Sequence, residues 1–192
     1  MIAPDELSDA TVVEDTRRWV QRAVIGLNLC PFAKSVEVKG QVHYAVSRAI
    51  GFKDLLIDLK NELNDLEALD AIARDTTLLI APLGFGEFLE FNDLLAHADR
   101  LLAKLGYDGV FQIASLHPHY QFSGTEVDDI TNSTNRAPYP TLHLLREDSI
   151  DRAVKAFPNA QAIFEVNMQT MARLGHAGWS ALGVGVSERS KP

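Results

Sequence analysis

Cysteine is almost absent: Cys30 is the only one in 192 residues. That excludes an intramolecular disulfide framework, a dithiol redox pair and any multi-cysteine zinc or iron–sulfur centre. Basic residues are scarce relative to acidic ones. Eighteen Lys and Arg face 26 Asp and Glu, giving a formal net charge of −8 and a pI of about 5.2. Such a balance argues against gripping a phosphate backbone, so no nucleic-acid partner is expected. No apolar run approaches the roughly 18 residues of a membrane span, so no membrane role is expected either. The N-terminal MIAPDELSDATVVEDT is acidic and lacks an apolar centre, unlike a secretory or transit peptide. With the lone thiol it reads as a cytoplasmic chain. The motifs G-K-[ST], G-x-S-x-G and H-E-x-x-H do not occur, and Gly84-Phe85-Gly86 lacks the third glycine of a dinucleotide fingerprint. There is thus no nucleotide-cofactor signature.

What is present is an ordinary globular balance, 46% apolar and 23% charged. The length suits a single α/β domain over 1–192, with an ordered core over about 11–180 and a frayed tail at 183–192. Thr11 to Glu14 has capping-box spacing, and Val13, Val20, Val24 and Leu27 repeat at helical spacing, predicting a helix over about 11–28. Val42, Tyr44 and Val46 alternate with polar neighbours and predict a strand. Phe52, Leu55, Leu56, Leu59, Leu63 and Leu66 mark an amphipathic helix. Thr76–Pro82 is a short continuous apolar run, the pattern of a strand buried on both faces. A helix from Phe88 should stop at Gly106, and strands are expected over 109–116 and 141–146. A short helix capped by Asp148 or Ser149 should end at Phe157-Pro158. A last one should run from an Asn159 cap to a stop at Gly175. Strands alternating with helices imply a four-stranded sheet, mainly parallel or mixed, covered by helices.

The stretch 117–139, HPHYQFSGTEVDDITNSTNRAPY, breaks this pattern. It is several times longer than the usual connection of about 4–6 residues, and Tyr120, Phe122, Val127, Ile130 and Tyr139 supply anchors for an ordered, site-forming loop. Its polar content is dense. His117, His119, Asp128, Asp129, Asn132, Asn135 and Arg136 lie within it, and His143 and Arg146 follow on the next strand. His117 falls just past a strand, and ligands of parallel sheets collect at such carboxyl ends. Each residue also has a plainer role: His143 as a core histidine, Asp128-Asp129 as a cap, Asn132 and Asn135 as Asx turns, Arg136 as a loop lock.

Cys30-Pro31 closes the first helix. Pro31 suits the first position of a new helical turn, which would make Cys30 an N-cap-like residue with free backbone N–H groups facing its sulfur. That setting favours a nucleophilic thiolate or a soft metal ligand. The plainer alternative is a buried, inert thiol.

Three segments, AVIGLNLCPFA at 23–33, HPHYQFSG at 117–124 and TNRAPYPTLHLLRE at 134–147, resemble the family called domain of unknown function 1415, found in bacteria and plants. The resemblance runs over about 15–175. It brings no activity with it. It implies that the segments of Cys30, His117 and Asn135-Arg136 are family signatures, with His119 and Ala137 standing where Asp and Ser are common.

Three readings follow. In the first, the chain is an enzyme of the transfer or hydrolysis class acting on a small anionic metabolite. His117, Cys30 and His143 are catalytic, and Arg136, Asn135, Asn132, Tyr120 and Arg146 bind substrate. In the second, His117, His143, Asp128 and Asp129 hold a divalent metal. In the third, the loop is a partner surface of a non-catalytic binding or adaptor module. The first requires the helix end bearing the thiol and the loop bearing imidazole and guanidinium to meet around one hollow.

Overall fold

The computed structural model describes residues 7–156 and 161–187. Helix α1 (Asp9–Trp19) starts one turn earlier than the T-x-x-E spacing suggests, because the Ser8 hydroxyl accepts from the Thr11 amide at 3.1 Å. It runs into a π-helical turn, Val20–Ile25. At Gly26 a Cβ would lie 2.2 Å from the Arg22 carbonyl oxygen, so only glycine fits where the widened turn closes. Asn28 then adopts a left-handed φ of 54°, and the Leu29 amide returns to the Val24 carbonyl to end the helix.

The remaining elements, in chain order, are α2 (Ala33–Val38), β1 (Val42–Val46), α3 (Phe52–Ala68), β2 (Thr76–Ile80), α4 (Phe88–Lys104) and β3 (Phe111–Leu116). A 3-10 turn (Ile130–Asn135), β4 (Thr141–Arg146), α5 (Glu147–Ala156) and α6 (Gln161–Ala181) follow. At Gly175 the backbone leaves the helical region (φ 62°, ψ 177°), so the first segment of α6 stops there as expected and a second segment follows across a kink to Ala181. The expected break at Phe157-Pro158 and cap at Asn159 lie outside the described residues.

The sheet is mixed, in the order β1-β2-β4-β3. β1 pairs parallel with β2, and β4 runs antiparallel between β2 and β3. Strands β1, β2 and β3 therefore point the same way, joined through α3 and α4. One sheet face, carrying Ala45, Leu79, Leu142, Leu144 and Phe111, packs on the leucine stripe of α3 and the apolar side of α4. The other face, carrying Val42, Leu78, Ile80 and Leu116, packs on Val12, Trp19, Val20 and Ala23. Leu78, Leu79 and Ile80 are all buried, as a strand covered on both sides requires.

The start of the C-terminal tail is held rather than frayed. The buried Asp15 carboxylate accepts from Tyr139 Oη at 2.7 Å and from the Ser187 amide at 3.1 Å, and Arg18 reaches the carbonyls of Gly183 and Gly185. Residues 188–192 of the expected frayed tail are outside the described residues. No helix among the described residues is long and apolar enough to cross a membrane.

Candidate functional site

The carboxyl edge of the parallel strands, where a ligand crevice was expected, is closed by the chain itself. β4 enters the sheet at that edge, and the segment leading into it packs there. The His117 amide donates to the Asn135 carbonyl, the Ala81 amide to the Pro140 carbonyl, and Asn132, Ser133, Ala137 and Tyr139 are buried. Asn132 is an internal strut: its Oδ1 accepts from the Phe122 amide and Thr125 Oγ1, and its Nδ2 donates to the Glu126 carbonyl. Asp129 caps the 3-10 turn through Thr131, which holds its carboxyl below the usual range, and Asp128 is exposed. Arg136 donates to the carbonyls of Tyr120 and Val127 and locks the loop. Tyr120 packs between Phe88 and Phe122, tilted against the first ring and edge-on to the second.

His117 is fully buried among Phe88 and Phe91. Its Nδ1 accepts from the His119 amide at 2.9 Å, so the proton sits on Nε2, which donates to the Phe85 carbonyl at 2.8 Å. Phe85 holds a left-handed φ of 62°, a strained state for a non-glycine residue, and this bond pins it. Burial keeps the imidazole neutral by lowering its pKa. Both nitrogens are used, so His117 is a structural clamp and not the expected acid or base.

The hollow lies elsewhere. A cavity of about 570 Å3 sits on the other face of the sheet, toward the amino ends of the parallel strands. Its walls come from the π turn, the Cys30 segment, α2, the sheet, α5 and α6, with Phe122, Thr134 and Asn135 from the long loop. Cys30, Asn135 and His143 line it, whereas His117 and Arg136 do not. The thiol and part of the loop thus meet around one hollow, but without the loop's own imidazole, His117, and guanidinium, Arg136.

His143 differs from His117 in one bond. Its Nε2 lies 2.8 Å from Thr76 Oγ1, and that hydroxyl donates its single proton to the Leu144 carbonyl at 2.6 Å. Nε2 must therefore carry the imidazole proton and donate to Thr76. No described residue donates to Nδ1, and it is not sealed off, so its lone pair opens onto the cavity. Burial pushes the His143 pKa down to about 4, leaving a neutral acceptor at pH 7. Across the cavity wall Trp19 is 3% exposed, and its Nε1 has no acceptor among the described residues. Leaving such a donor unpaired costs about 1–3 kcal/mol. The hollow thus brings a free acceptor and a walled-in orphan donor to a lining that is mostly aliphatic and aromatic.

A family model described as "Protein of unknown function (DUF1415)" matches residues 11–181. The chain belongs to the DUF1415 family. No curated protein and no solved structure matches it.

Two further expectations for this DUF1415 protein change. Cys30 is not an N-cap: α2 starts at Ala33, and the Cys30 carbonyl, not its sulfur, accepts the Ala33 amide. The thiol is half-buried, and no described residue hydrogen-bonds its sulfur. Arg146, at the cavity edge, sends its Nε and Nη2 groups to the carbonyls of Leu66, Leu69 and Arg74 and lies over the Phe111 ring, so most of its guanidinium caps α3. The metal candidates do not converge either. Among the described residues no three His, Cys, Asp or Glu side chains are grouped to hold an ion. His117 and His143 face opposite sides of the sheet region, and Asp129 is spent on its cap.

Sequence reasoning missed Trp19 and Thr76. Trp19 looked like an ordinary core residue beside the helical stripe. Thr76 matters only because the register places it one diagonal step from His143, opposite Leu145. The one available signal was that a buried indole N–H normally requires an acceptor.

Proposed function

We propose that this DUF1415 protein binds a small, mainly apolar organic molecule in the 570 Å3 cavity lined by Cys30 and His143. The volume lies within the range of small-molecule sites, and a few polar groups in an apolar lining is their usual chemistry. The observation that carries the reading is the unclaimed Nδ1 of His143, a neutral acceptor facing an apolar hollow. Cytoplasmic residence, expected from the acidic N-terminus and lone thiol, is part of the proposal. The test uses 1-decanol as probe, followed by tryptophan emission, since Trp19 forms part of the wall. Saturable binding of one molecule per chain is expected, and Ala33→Trp, which fills the hollow, should abolish it. No binding to the unaltered chain overturns the proposal.

One observation favours enzymatic use of the same cavity: a thiol and an open imidazole nitrogen share it. In this reading His143 Nδ1 takes the thiol proton and Cys30 Sγ attacks an acyl carbonyl. The carbon–sulfur bond forms, the bond to the leaving group breaks, and the proton passes to the leaving group. With 4-nitrophenyl decanoate the expected result is a burst of one nitrophenol per chain and an acyl mass increase on Cys30. Acylation that persists in Cys30→Ser would exclude it.

A further inference from the structure

A second hollow of about 400 Å3 adjoins the first and shares Phe32, Val36, Asp75, Ser149 and Ala153 with it as common wall. The two differ in chemistry. The larger is walled mainly by Val, Leu, Phe and Met side chains, and the one guanidinium at its edge, that of Arg146, has its Nε and Nη2 groups held by three backbone carbonyls. The smaller adds Ser35, Lys39, Gln41 and Arg152.

We infer that the paired hollows hold one single-chain amphiphile, its hydrocarbon body in the larger space and an anionic head, carboxylate or phosphate, in the smaller between Lys39 and Arg152. This rests on the cavity being a small-molecule site and adds the class of its ligand.

Three features support it. First, the sign of charge reverses locally. Acidic residues outnumber basic ones 26 to 18 in the chain, yet the smaller hollow has two cations and a single carboxylate, Asp75. Second, that carboxylate is already engaged. Ser149 Oγ donates to Asp75 Oδ1 at 2.5 Å and accepts from an Arg152 NH2 group at 2.8 Å. One relay therefore offsets Asp75 while the other guanidinium N–H groups of Arg152 stay available. Lys39 is exposed and ion-paired with no described residue. Third, the smaller hollow has an apolar rim. Ile72, 82% exposed, lines it, a setting suited to a hydrocarbon passing inward ahead of a charged head. Anion recognition, expected at Arg136 and Arg146, is thereby assigned to two other cations.

The experiment compares the affinities of 1-decanol, decanoate and decyl phosphate, which share a chain and differ in head. At low salt the better anion should bind about tenfold more tightly than the alcohol, as two partly exposed ion pairs allow, and added salt should narrow the gap. In the double variant Lys39→Ala/Arg152→Ala the advantage should vanish while 1-decanol binds as before. Equal binding of all three probes, or a preference that survives the double variant, overturns the anionic head and leaves the cavity reading standing. Failure of all three to bind overturns both. The tighter of the two anions identifies the head group.

Discussion

Helices α3 and α4 seal the centres of their apolar stripes against one face of the sheet; across the same strands, the π turn, α5 and α6 leave a hollow. Leu55, Leu59, Leu63, Leu66, Phe91 and Leu94 have no exposed surface at all. On the other side α5 has no fully buried residue, and Phe164 at the start of α6 is 58% exposed. The two histidines repeat the contrast in miniature. Each is a neutral imidazole with its proton on Nε2 and its pKa lowered by burial. On the sealed side a backbone amide fills the second nitrogen of His117, and on the hollow side no described residue fills that of His143. What separates a clamp from a candidate binding group is one hydrogen bond, not the residue type or its burial.

The widest gap between the two sides should be in stability. Phe91→Ala removes a ring that touches both His117 and Phe85, and should cost about 3–5 kcal/mol. Met168→Ala, in the wall of the hollow, should cost about 1 kcal/mol, because its side chain is only partly buried. Guanidinium unfolding midpoints read both. Equal losses would mean that the hollow is packed in solution.

The histidine pair should separate next. His117→Ala strips the Phe85 carbonyl and the His119 amide of their partners, at about 1–3 kcal/mol each. His143→Phe keeps the volume and leaves Thr76 bonded to Leu144, so its cost should stay near 1 kcal/mol. Acid sharpens this. Below pH 6.5 the unfolded imidazole takes up a proton that His143 in the fold refuses until about pH 4. Above 6.5 both states are neutral and nothing is gained or lost. Stability should therefore fall as pH drops through that window, by about 1.4 kcal/mol per unit and about 3 kcal/mol in all. His117 contributes with the same sign. Unfolding midpoints followed from pH 7 to pH 4.5 should flatten in His143→Phe; an unchanged slope would mean that His143 is open to protonation in the fold.

The sealed side was far more legible in the sequence than the hollow one, for a physical reason. A stripe such as Leu55-Leu59-Leu63-Leu66 writes its burial into a local period, and the unbroken TTLLI of β2 does the same. A hollow is defined by what fails to meet, which depends on elements remote in sequence. Helix α2 went unseen because AKSVEV buries nothing and so carries no stripe. The π turn was hidden inside an expected helix, because Val20 and Val24 keep ordinary helical spacing. The position of β4 between β2 and β3 filled the crevice expected at the strand ends, and that depends on the path of a loop longer than any local rule covers. The loop residues illustrate the same limit. His117, Asn132 and Arg136 were singled out for polar density, yet their partners are backbone groups of the loop and of the Phe85 turn and, for Asn132, also the Thr125 hydroxyl. For Asn132 and Arg136 a loop-bonding role is the plainer of the two sequence readings; for His117 the sequence offers no such hint.

The smallest expected effect concerns the thiol, and it tests whether the hollow is open. Cys30 lines the cavity, is half-buried, and its sulfur is hydrogen-bonded by no described residue. Replacing it with serine removes little packing and breaks no bond, so Cys30→Ser should shift stability by less than about 0.5 kcal/mol. A thiol sealed among aliphatic side chains would behave otherwise, since a serine hydroxyl there would lose its water without gaining a partner, at about 1–3 kcal/mol. Alkylation distinguishes the two cases independently. Iodoacetamide should modify Cys30 in the folded chain at a rate that does not follow unfolding, and saturating 1-decanol should slow it by occupying the same space. Modification only at the unfolding rate would place the sulfur on the sealed side of the comparison and remove the one nucleophile from the cavity.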